Sequence, residues 1–299
     1  GRDVLYHDGN GIGHASRMIL APEHGLGIFL STNHRPLAPD VSSTPAHTFM
    51  KELGTALLER YLPPTAKEEQ APLPALPEAA ARAPRYAGHY RLAETSQQDF
   101  FKLGALLDNV DVADNGDGTI TIGSNRYTEV EPHLFQSESD PGFFVVFVEN
   151  EAGDVEWLTF GGTGSYQKVS WYETPTFQIA VVAATLLLFL TFLVAMPFSG
   201  HRAWTAWAMS ALNVAFLGGL GYLMTNADLV LFFKTIPAAA KVLFALPWLS
   251  GALALTLPAV LVALWRKRAA IWVRVLYAAN AVAAAGFLWF VVTWNLYLK

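Results

Sequence analysis

Four apolar runs near the end of the chain constrain its fold more than any other feature: Phe177–Phe198, Ala203–Thr225, Val242–Trp265 and Val275–Leu298. Each exceeds the roughly 20 residues that a helix needs to cross a bilayer core. They account for a composition unlike that of a soluble protein, 53% hydrophobic and 15% charged over 299 residues. Trp171 and Tyr172 precede the first run, where amphipathic rings anchor at headgroup level. Pro247 and Pro258 lie inside the third run and are expected to kink it. Leu229–Ala240, broken by Lys234 and Pro237, reads as an interfacial or re-entrant piece. No run carries Asp, Glu, Lys, Arg or His, so an anchor is expected rather than a transport path. Asn213 and Asn280 are assigned to hydrogen bonds between helices, and Gly218, Gly219 and Gly221 to close helix packing.

The connections set the orientation. The first carries His201 and Arg202, and the third carries Arg266, Lys267, Arg268 and Arg274. The second carries Lys234 and Lys241, partly balanced by Asp228. The positive-inside rule puts the first and third in the cytoplasm and everything before residue 173 outside. A net charge of −5 gives no reason to expect a nucleic-acid partner. The absence of cysteine excludes disulfides and thiolate metal sites.

Residues 85–172 read as short strands at Tyr86–Arg91, Val110–Ala113, Thr119–Ile122, Tyr127–Val130, Leu134–Phe135, Phe143–Glu149, Val155–Phe160 and Tyr166–Val169. Asp114–Gly118 and Asn150–Asp154 are hairpin turns rather than calcium loops. A small antiparallel barrel or sandwich is expected, with Phe135, Phe143, Phe147, Trp157 and Phe160 as its core. Residues 64–84, rich in Pro and Ala, read as a semi-extended linker.

The remaining stretch, Tyr6–Asn33, opens with His7-Asp8-Gly9, continues through Asn10, Gly11 and Gly13, and runs into apolar segments Ser16–Ala21 and Leu26–Ser31 around Pro22-Glu23-His24-Gly25. This is a Gly-rich strand end feeding a two-stranded ribbon. A helix follows, with Thr44 as N-cap and Pro45 at its first position. Its expected apolar face is Phe49, Leu53, Ala56, Leu57 and Tyr61, and Pro63-Pro64 stops it. His14 reads as a surface or packing residue, and no metal site or cofactor is expected.

His7-Asp8-Gly9 with its hairpin ending in Ser31-Thr32-Asn33 resembles the third motif of β-lactamase-like serine hydrolases, in the esterase and D-aminopeptidase-type branch that carries His-x-Gly in place of Lys-Thr-Gly. Tyr86-Ala87-Gly88-His89-Tyr90 resembles the start of the lipocalin-like domain appended to some of these enzymes. The resemblance implies a multi-domain chain. Residues 1–63 would be the C-terminal part of an α+β hydrolase domain, 64–84 a linker, 85–172 the β-domain, and 173–299 four membrane helices. It implies that His7 is a polar residue of the catalytic cleft, that Gly9 lets the backbone approach substrate, and that Asn10 offers an oxyanion N–H. His7, Asp8 and Gly11 are the expected substrate contacts, with Asp8 in the variable position pointing away from the cleft. The substrate would be a small peptide, amide or ester, attacked by a serine whose Ser-x-x-Lys motif, like the Tyr motif, is expected upstream of Gly1. These residues alone are then expected to be inactive. Two other readings fit less of the chain: a membrane-anchored β-domain that binds a ligand without catalysis, and a four-helix transport component.

Overall fold

The computed structural model describes residues 4–11, 14–33, 45–62, 71–160, 164–199, 204–226 and 236–297. They form two compact units, one of Gly1–Tyr90 with Val110–Lys168 and one of Arg91–Asn109 with Val169–Lys299.

The first unit opens with a three-stranded antiparallel sheet of β1 (Leu5–Gly11), β2 (His14–Ala21) and β3 (Leu26–Thr32), in that order. The Gly-rich stretch is thus a full strand, in register with β2 from Leu5 opposite Leu20 to Gly11 opposite His14. A tight turn at Pro22–His24 joins β2 to β3, closed by Gly25 in the left-handed region (φ 61°). Helix α1 (Pro45–Tyr61) covers one face of this sheet. Its buried face is Met50 and Gly54, continued by Leu62, not the expected stripe, since Phe49 and Tyr61 are 57% and 69% exposed. A Cβ on Gly54 would lie 2.5 Å from Ile19 Cδ1, so the helix approaches β2 where its side chain is smallest. The Thr44 cap lies outside the described residues.

Eight strands then close a barrel: β4 (Gly88–Leu92), β5 (Asn109–Asp114), β6 (Thr119–Ile122), β7 (Asn125–Glu131), β8 (Leu134–Ser137), β9 (Phe144–Glu149), β10 (Val155–Phe160) and β11 (Ser165–Val169). Each pairs with the next in sequence and β11 returns to β4, an up-and-down arrangement that leaves no sheet edge. Alternate residues point inward, and Tyr90, Ile120, Phe135, Val145 and Leu158 are fully buried.

The expected linker is only partly a linker. Leu73 N–H donates to Gln136 Oε1 and Leu76 N–H to the Glu129 carbonyl, each at 2.7 Å. Helix α2 (Ala79–Tyr86) follows and buries Ala79, Ala83 and Tyr86. These positions share one helical face, but two of the three are alanines, too small to mark the face as apolar in sequence.

The second unit contains α3 (Pro175–Ala195), α4 (Trp204–Asn226), α5 (Ala238–Ala254), α6 (Leu257–Arg266) and α7 (Ile271–Thr293). Residues 175–198, 204–226, 238–266 and 271–293 form four helical segments long and apolar enough to cross a membrane. The third is two helices rather than one kinked helix. It breaks at Leu255-Thr256, and Pro258 falls in the first turn of α6, where no N–H is needed. Ala238–Ala240, read as part of an interfacial piece, instead begin α5, while 229–235 lie outside the described residues. The fourth span starts earlier than the apolar run, so Arg274 sits in its first turn with its guanidinium 4.5 Å from the Trp265 ring. Among the three glycines of α4 only Gly219 meets a neighbour, Leu243, where a Cβ would stand. The segment between β4 and β5 belongs to this unit: Phe100 packs on Phe244 with ring centroids 5.0 Å apart, and Asn295 donates to the Gln97 carbonyl.

Candidate functional site

Strand parity divides the His7-Asp8-Gly9 triplet between two faces. Asp8 stands opposite Arg17, His7 opposite Met18 and Gly9 opposite Ser16. β2 buries Ala15, Arg17, Ile19 and Ala21, the side on which Ile19 meets α1. Asp8 therefore lies on the covered side, while His7, which is exposed, and Gly9, which is half-buried, belong to the open side. Both Asp8 carboxylate oxygens accept from Arg17, at 2.6 Å from Nε and from Nη2. That bond, above all, pushes the Arg17 pKa up. Asp8 is thus turned away from the open face, on the side of the sheet opposite to His7.

The outer edge of β1 pairs with no strand among the described residues, so alternate backbone N–H and C=O groups project from it. Asn10 and Gly11 continue β1 opposite Ala15 and His14. Gly9 has a local explanation as well: a Cβ there would lie 2.5 Å from Ser16 Oγ, which sits 3.4 Å from the Gly9 carbonyl.

One Ser-x-x-Lys tetrad does occur in the chain, Ser165-Tyr166-Gln167-Lys168. It lies on β11. A nucleophile and base three residues apart share a face on a helix, but on a strand they point to opposite faces, about 10 Å apart along it. Lys168 Nζ instead donates to the Arg85 carbonyl at 2.8 Å and lies over the Tyr90 ring, and burial pushes its pKa down. The tetrad is a strand sequence rather than a nucleophile motif.

Sequence reasoning missed a polar cluster at the α2 end of the barrel. Fully buried Glu129 on β7 accepts from the Tyr86 hydroxyl (2.7 Å), Arg82 Nε (3.0 Å) and the His133 backbone N–H (3.1 Å). Arg82 Nη2 donates to the Tyr86 oxygen at 2.8 Å, and His133 Nδ1 lies 3.2 Å from the same oxygen. Burial and then the Glu129 bond push the Tyr86 pKa up to about 12. His133 holds φ at 68°, unusual for a residue with a side chain, and so presents its N–H to Glu129. The cluster ties α2 to the barrel wall. The one signal in sequence was the inward parity of Glu129 beside Tyr127.

The opposite end of the barrel is open. A cavity of about 450 Å³ there is lined by Val110, Ile122, Tyr127, Ser137, Phe143 and Phe160 among others. Phe143 and Phe160 stack with centroids 6.5 Å apart. Two residues expected in the core, Phe143 and Phe160, thus line the mouth, while Phe135 and Phe147 fill the interior. The chain matches no family model and no curated protein.

Proposed function

We propose that the chain is the C-terminal part of an exported, membrane-anchored serine hydrolase of the β-lactamase-like group. In this reading it forms one wall of an acyl-transfer site for a peptide, amide or ester. The observation that carries this is the division of faces on β1. His7 and Gly9 occupy the open side of an edge strand, and Asp8 is held on the covered side by Arg17. An edge strand offers outward N–H donors to an oxyanion, and an exposed imidazole beside them can contact substrate or relay a proton. The nucleophile and its base come from residues outside this chain.

The test is hydrolysis of a chromogenic ester by the full-length protein. His7→Ala should lower kcat/KM on the order of 10²-fold, the scale of a lost proton-handling group. Arg17→Met should lower stability and leave the chemistry of the folded fraction intact. Unchanged kcat/KM in His7→Ala removes His7 from the site.

The barrel mouth favours a second reading, a ligand-binding module. Its apolar wall and few hydroxyls suit a small amphipathic molecule. A panel of such molecules assayed by quenching of tyrosine and tryptophan emission would separate the two, since binding without hydrolysis by the full-length protein supports the module alone.

A further inference from the structure

The helical unit buries polar side chains that its own helices leave unpaired. Ser210 on α4 reaches Asn280 Oδ1 on α7 at 3.0 Å, as expected of a hydrogen bond between helices. The second expected bond is missing. Asn213, 1% exposed, has no partner for Nδ2 or for Oδ1. Asn280 Nδ2, Ser250 Oγ and Tyr277 Oη are likewise buried and unpaired.

Helix register brings most of these groups to one level. The Ser210–Asn280 bond and the Phe216–Phe287 ring contact (5.7 Å) show α4 and α7 running side by side in the same direction. Thr205 and Thr256 meet at 3.2 Å, and the Phe216 and Phe244 rings at 6.5 Å, so α5 runs antiparallel to α4. Between those two contacts Ser250 falls opposite Ser210 and Asn213. Asn213 and Asn280 each sit near the middle of a 23-residue helix. All four are therefore far from either membrane surface.

An unpaired amide in a hydrocarbon-like interior costs several kcal/mol, and a leucine at 213 would avoid that cost. The groups present are amide N–H donors, an amide oxygen and a hydroxyl, with no carboxylate among them. That set suits a neutral ligand with both donors and acceptors, and water needs only two to four such partners. We propose that Asn213, Ser250 and Asn280, with Ser210 beside them, form an internal water site at the middle of the helix bundle.

The experiment is millisecond X-ray radiolysis of the full chain in lipid nanodiscs, with oxidation read by mass spectrometry. Bound water generates hydroxyl radicals in place. Met209, fully buried next to Ser210, should therefore oxidise several-fold faster in the native chain than in Asn213→Leu. Met196, at the far end of α3, should be the same in both. Equal Met209 rates would overturn the site. If Asn213→Leu does not fold, water-edited solid-state NMR of the native chain decides. Magnetisation transfer from water to the Asn213 side-chain amide supports the site, and its absence overturns it.

Discussion

Tyr86 carries its proton into a buried network, and the consequence is a stability that depends on alkaline pH. Its ordinary pKa is 10.0 and its folded value is about 12, raised by burial and by Glu129. A raised acid is stabilised in its neutral form, so its contribution is complete below pH 10 and is lost as the pH rises through 12. The barrel's thermal midpoint should fall across that window, followed by near-ultraviolet circular dichroism. In Tyr86→Phe the midpoint should start lower, because Arg82, Glu129 and His133 lose a shared partner. Its decline should be shallower, since one raised tyrosine is gone, but should persist, since Tyr90 and Tyr127, whose pKa values burial also raises, still titrate. A second residue-scale prediction concerns Gly9. Gly9→Ala should destabilise the small sheet by about 1 kcal/mol by displacing Ser16 Oγ, and adding Ser16→Ala should recover most of the loss. Recovery would show that the glycine is there for its neighbour strand, which the motif resemblance alone does not distinguish from a role in approaching substrate. Asp8 marks the limit of reading a triplet. Alternation turns it away from His7, but its partner Arg17 is nine positions on and emerges only with the register.

At the scale of elements, the eight barrel strands were legible because alternating burial leaves a period of two and because Asp114–Gly118 and Asn150–Asp154 are strong turn sequences. Helix α2 was not, since burying two alanines and a tyrosine leaves no apolar period among prolines and charges. Helix α1 was legible as a helix but not in its facing. The sheet accepts Gly54 at its closest point, and the bulkier Phe49 and Tyr61 fall outside the contact. The docking of α2 can be tested at one position. Gly118 has φ of 88°, and a Cβ there would lie 3.0 Å from the Ala80 backbone nitrogen. Gly118→Val meets both the strain of a left-handed branched residue and a backbone that cannot give way. It should destabilise the barrel by roughly 1–3 kcal/mol. Gly123, φ 61° with nothing near its Cβ position, isolates the backbone part of that cost. Hydrogen exchange across residues 79–86 should accelerate in Gly118→Val and stay near native in Gly123→Val.

At the scale of the molecule, the four spans were readable from hydropathy because length and composition alone decide whether a helix can cross a bilayer. What hydropathy omits is the interior, where Asn213 and Ser250 find no partners although both face other helices. Sidedness rests on charge. Arg266 ends α6 and Lys267 and Arg268 follow it, with Arg274 a turn into α7, whereas the residues before α3 carry acidic Glu173. Moving the basic cluster across a membrane would oppose the bias that orients helical proteins, so we expect Lys267 inside and the barrel outside. A chain without cysteine makes this directly measurable. A cysteine placed at exposed Asn115, on a barrel turn, should react with a membrane-impermeant maleimide in right-side-out vesicles. A cysteine at Lys267 should react only after detergent is added. The reverse pattern would put the barrel and His7 in the cytoplasm, and with them the proposed hydrolase would lose its exported address while the fold stood unchanged.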